Sequence, residues 1–134
     1  MKNNFLCPYC KGKLNVKSNI VLSVTTESKK SGLVFISSKL GNYQTTTHPS
    51  FEIKTGEHLD YFCPICHANL AAIEFDENLA KVLMTDESQK VYEIVFSEIA
   101  GEHCTYKLVD SKIESYGEHV DHYTNFFGAK AKFY

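Results

Sequence analysis

Two near-copies of one short pattern lie 56 positions apart in this 134-residue chain: Phe5-Leu6-Cys7-Pro8-Tyr9-Cys10-Lys11-Gly12-Lys13-Leu14 and Tyr61-Phe62-Cys63-Pro64-Ile65-Cys66-His67-Ala68-Asn69-Leu70. Each runs aromatic or apolar residue, Cys-Pro-x-Cys, three residues, Leu. Four of the five cysteines therefore fall into two matched pairs, the ligand set for one closed tetrahedral zinc site of four thiolates. Two thiolates separated by two residues can bind one ion from a tight turn whose backbone N–H groups point at the sulfurs. Proline after the first cysteine presets φ for that turn. Gly12 is expected to supply the reversed backbone that closes the first knuckle, with Ala68 at the matching place in the second. Leu14 and Leu70 should pack beneath the metal. The candidate metal ligands are thus Cys7, Cys10, Cys63 and Cys66.

Paired Cys-x-x-Cys knuckles on hairpins resemble the zinc-ribbon family. The resemblance covers the two knuckles, and it implies one structural Zn²⁺ as cofactor. The departure from the family is the gap of residues 11–62 between the pairs, longer than in a compact ribbon and read as a β-rich insertion.

Rival chemistries for the same cysteines fit less well. Cys7-Pro8-Tyr9-Cys10 also matches the redox motif of glutaredoxins, which needs a preceding strand and a helix that lowers the first thiol's pKa. Only six residues precede Cys7 here, and Lys11 to Val16 has no helical periodicity. Disulfides need an oxidising compartment, whereas nothing near Met1 resembles a secretory signal. Rubredoxins hold iron with four thiolates, but they carry Gly directly after each knuckle, where this chain has Lys11 and His67. The fifth cysteine, Cys104, shares a strand face with Tyr106 and Leu108 and reads as a small buried hydrophobe.

Charge narrows the function. All 14 basic residues are lysine. Arginine supplies the bidentate fork for phosphates and guanine edges, so its absence, with a net charge of −2, disfavours nucleic-acid recognition. If nucleic acid is bound nonetheless, the expected contacts are Lys11, Lys13, Lys17, Lys29 and Lys30. Residues 71–134 carry six Lys against twelve acids, which reads first as solvated surface and second as an acidic face for a basic partner. No apolar stretch approaches membrane-spanning length, and the expected location is the cytoplasm.

Between the knuckles the pattern alternates as strands do. Ile20, Leu22 and Val24 share one face, and Leu33 to Ile36, Tyr43 to Thr47, Phe51 to Ile53 and Leu59 to Phe62 follow across turns. Leu79 to Met84, Val91 to Phe96 and His103 to Val109 predict a three-stranded meander. Ser111 to Tyr123 predicts a short helix, from a capping Ser111 and the spacing of Ile113, Tyr116, Val120 and Tyr123. His119 and His122 would lie on one side of it as polar surface, two ligands being too few for a metal. Phe126, Phe127, Phe133 and Tyr134 close the chain as a packed strand or tail. His48, His58 and His103 show no constellation with a nucleophile or carboxylate.

The expected architecture is mainly β: a zinc ribbon with an inserted antiparallel sheet over residues 1–75, then a meander, short helix and aromatic tail over 76–134. The expected function is that of a non-catalytic protein-interaction or regulatory module. The alternatives are a nucleic-acid-binding ribbon and a rubredoxin-like iron electron carrier.

Overall fold

The computed structural model describes residues 4–39, 42, 45–48, 51, 53–72, 78–102, 104–109 and 112–117. Ten strands lie among the described residues: β1 (Asn4–Leu6), β2 (Asn15–Val16), β3 (Asn19–Thr25), β4 (Ser31–Ser37), β5 (Thr45–Thr47), β6 (Asp60–Phe62), β7 (Leu79–Thr85), β8 (Val91–Ser97), β9 (Thr105–Val109) and β10 (Lys112–Tyr116). They form two antiparallel sheets, one ordered β1-β7-β8-β9-β10 and the other β2-β3-β4-β5, with β6 pairing onto β3. No helix occurs among the described residues, so none there is long and apolar enough to cross a membrane.

Alternation of side chains decides which face is buried. Along β3, Ile20, Leu22 and Val24 point into the core while Val21 and Ser23 face outward. Val82, Met84 and Ile94 do the same from β7 and β8, and both sets join Phe5, Val34 and Tyr61 in one apolar cluster between the sheets. Tyr61 and Phe96 meet edge to face, with centroids 5.2 Å apart. On one side the sheets leave a cleft of about 390 Å³ lined by Leu22, Val34, Phe96 and Ile99 among others. A second cluster covers the opposite face of the meander: Leu79, Val95, Cys104 and Tyr106, with Leu108 and Ile113 against it. Cys104 is buried there, as its strand position suggests.

The repeat runs far beyond the knuckles. Phe5 pairs with Met84 and Tyr61 pairs with Val24; Asn4 pairs with Thr85 and Asp60 with Thr25. The first strand of each copy thus joins the long hairpin of the other copy, at corresponding positions. Hairpin β3–β4 and hairpin β7–β8 are themselves counterparts: Thr26 N–H donates to Lys30 O at 2.8 Å, and Asp86 N–H to Lys90 O at 3.1 Å. Their turns read Thr25-Thr26-Glu27-Ser28-Lys29-Lys30 and Thr85-Asp86-Glu87-Ser88-Gln89-Lys90. Such reciprocal pairing is the mark of an isologous, two-fold-related contact, here made within one chain.

Phe51 and Ile53, expected in a strand, lie outside any strand and pack their side chains on the main core, and one further element changes type. Lys112–Tyr116 is not helical but pairs with β9, from Lys112 opposite Val109 to Tyr116 opposite Thr105. The meander offered β9 an unpaired edge, and a five-residue ladder with Ile113 packed on the second cluster outweighs a helix interrupted by Gly117. Residues 118–123 of that segment, with His119 and His122, and the aromatic tail lie outside the described residues.

Candidate metal centre

Each knuckle hangs between the short first strand of its copy and the return of the chain toward its hairpin. Leu14 N–H donates to Phe5 O at 2.7 Å, and its counterpart Leu70 to Tyr61 O at 2.9 Å, so both loops are closed at their base by the same bond. Within each loop Cys7 N–H reaches Gly12 O and Cys63 N–H reaches Ala68 O, both at 3.0 Å. Lys11 N–H returns to Cys7 O at 3.0 Å, and His67 N–H to Cys63 O at 2.9 Å. The left-handed backbone that this turn demands falls on Lys11 (φ 62°) and His67 (φ 66°), not on Gly12 and Ala68 as expected. Gly12 serves instead by being small: a Cβ there would stand 2.6 Å from Ile65 Cδ1, at the tip of the other knuckle.

Backbone donors converge on the sulfurs. Tyr9 and Cys10 N–H point at Cys7 Sγ from 3.3 and 3.4 Å, Ile65 and Cys66 N–H at Cys63 Sγ from the same distances, and Gly12 N–H at Cys10 Sγ from 3.3 Å. These donors stabilise thiolate over thiol. Cys7 and Cys63 are fully buried, whereas Cys10 and Cys66 are exposed at the rim of the cluster. Burial raises the Cys7 thiol to about 11 against its two N–H donors. Burial also acts on Cys63, but the N–H groups of Cys66 and Ile65 and the neighbouring thiols hold it below the ordinary value. Four sulfurs this close cannot all ionise without a cation between them.

The two knuckles face each other. Cys7 Sγ lies 3.7 Å from Cys66 Sγ, and Cys10 Sγ lies 3.8 Å from Cys63 Sγ. These contacts are counterparts under the same repeat, and all four sulfurs lie within 4.8 Å of one another. A tetrahedron with metal–sulfur bonds of about 2.3 Å has edges of about 3.8 Å. The cluster therefore has the dimensions to hold one metal ion, and all four cysteines singled out from sequence meet in it. Leu14 and Leu70 pack with Cys7 and Cys63 in the main core beneath it. Tyr9 and Ile65, the variable residues of the two motifs, stand exposed at the tips. Lys11 folds its ammonium back onto Pro8 O at 2.6 Å, fastening the first knuckle.

Sequence reasoning left His58 without a partner. The fold places its Nε2 3.0 Å from Glu98 Oε1, 40 residues further on. No local pattern could have revealed that contact, which depends on how β6 and the residues after β8 lie together. No protein-family model, curated protein or solved structure matches the chain.

Proposed function

We propose that Cys7, Cys10, Cys63 and Cys66 hold one structural Zn²⁺ and that the chain is a non-catalytic protein of zinc-ribbon-like knuckles that contacts another protein. The observation that carries this reading is the pair of counterpart sulfur contacts, 3.7 and 3.8 Å, at the edge length of a four-thiolate tetrahedron. Such a shell has no open position for water or substrate, so the ion serves as a clamp rather than a Lewis acid. It joins the two copies at the point where their knuckles meet, next to the strands that they exchange. Exposed Tyr9 and Ile65 beside the ion, and the acid-rich second half, are the surfaces that suit a protein partner.

Nucleic-acid binding is the weaker alternative. Lys17 precedes β3 while Lys29 and Lys30 follow it, which separates them by a seven-residue strand, about 20 Å. These lysines lie at opposite ends of β3 rather than in one patch, and the chain has no arginine to add a bidentate phosphate contact. Purified protein should be colourless, contain zinc, and fail to retain single- or double-stranded nucleic acid at about 50 mM salt. A red-brown sample would establish an iron carrier instead, and salt-sensitive retention would establish the nucleic-acid reading.

A further inference from the structure

The buried carboxylate of Glu98 is the least explained group in the core. It is 1% exposed, its Oε1 meets His58 Nε2 at 3.0 Å, and its Oε2 is buried with no hydrogen-bond partner among the described residues. On the other side of the imidazole, His58 Nδ1 lies 3.6 Å from Asp60 Oδ1. One donor atom from each of His58, Asp60 and Glu98 falls within 4.8 Å of the other two.

The backbone holds these three residues together independently of their side chains. Leu59 N–H donates to Glu98 O at 2.8 Å, His58 pairs with Ile99, and Asp60 is fixed opposite Thr25. The other half of the molecule shows what the scaffold alone requires. Glu98 N–H bonds Asn78 O at 2.8 Å just as Ser38 N–H bonds Ser18 O at 2.9 Å, which makes Ser38 the counterpart of Glu98. Asn4, opposite Thr85, is the counterpart of Asp60. Neither counterpart carries a charge, so the fold does not need carboxylates at these places. Burying a carboxylate without full pairing is costly. Burial, with Asp60 adding to it, raises the Glu98 carboxyl to about 8 against the opposing effect of the Tyr61 backbone N–H. A metal cation at Oε2 would neutralise that buried charge in place of the proton.

We propose that His58, Asp60 and Glu98 form a second, separate cation site, for a first-row divalent ion that accepts mixed nitrogen and oxygen ligands, Mn²⁺ among them. An imidazole with two carboxylates suits Mn²⁺, Fe²⁺ or Zn²⁺, whereas four thiolates reject Mn²⁺. That difference in softness lets the two sites be read apart. Asp60 is about half exposed and His58 about one third, so the site opens to solvent on their side and leaves coordination positions for water.

The test is titration of Mn²⁺ into the zinc-loaded protein, with free Mn²⁺ followed by electron paramagnetic resonance and bound zinc measured alongside. Wild type should take up one Mn²⁺ per chain without losing zinc. Glu98→Gln should abolish that uptake and keep its zinc; Asp60→Asn, at a half-exposed position that tolerates change, should weaken uptake at least tenfold. No uptake by wild type, or uptake undiminished in either variant, would overturn the proposal and leave an ordinary buried His–Glu contact.

Discussion

At the scale of single residues, positions that look alike in sequence carry unlike burdens. Cys7 and Cys104 are both buried, yet only Cys7 faces the other sulfurs. Cys7→Ser should lose the ion and, with it, folding of at least the first half, because four-thiolate zinc supplies about 10–16 kcal/mol of apparent free energy. Cys104→Ala should keep full metal content; circular dichroism with metal analysis of both variants checks this. Glu98 makes a pH prediction. Its carboxyl ionises near 8 in the fold against an ordinary 4.5, so the folded state binds the extra proton between those values. Without added divalent cation, stability should fall as pH rises from 6 toward 8 by on the order of a few kcal/mol, and level off above. Glu98→Gln should flatten that decline, as read by denaturant melts across the range. Gln89, in the left-handed region at φ 70°, should tolerate glycine but lose about 1–2 kcal/mol on substitution by valine. The knuckle cysteines were legible in the sequence because metal ligation is written in local spacing. Glu98 was not, because its partner His58 lies 40 residues away in sequence, just before β6.

At the scale of elements, the longer strands were legible and the exchanged ones were not. β3 and most of β7 show the period-two alternation that a half-buried strand requires, and β4 and β8 show apolar runs bounded by turn residues. β1 and β6 are three residues each, too short for a period to show, and their neighbours are set by tertiary pairing. The repeat of the hairpins was hidden by register: knuckle counterparts lie 56 positions apart, hairpin counterparts 60, because the second copy holds four more residues between them. Lys112–Tyr116 was misread because Ile and Tyr at helical spacing also suit a strand once an open edge lies beside them. Exchange makes the short strands critical. Phe5 is fully buried where β1 joins the other copy's hairpin, and Phe5→Ala should cost about 3–5 kcal/mol. Tyr9→Ala, at an exposed knuckle tip, should stay within about 0.5 kcal/mol. Chemical denaturation of the two variants side by side tests the contrast.

At the scale of the whole molecule, one chain behaves as a dimer of its own halves. Each copy contributes a hairpin, lends its first strand to the other, and offers one Cys-Pro-x-Cys knuckle to a shared cluster. The proposed ion lies where the halves meet, so its removal should release both exchanged strands together rather than loosen one loop. Zinc X-ray absorption on protein dialysed into metal-free buffer, with metal and protein quantified in the same sample, is the most direct trial of this arrangement. The account predicts one zinc per chain surrounded by four sulfurs at about 2.3 Å. A zinc shell at the cysteines with nitrogen or oxygen in place of sulfur, a separate ion on each knuckle, or each knuckle oxidised to its own disulfide would contradict it.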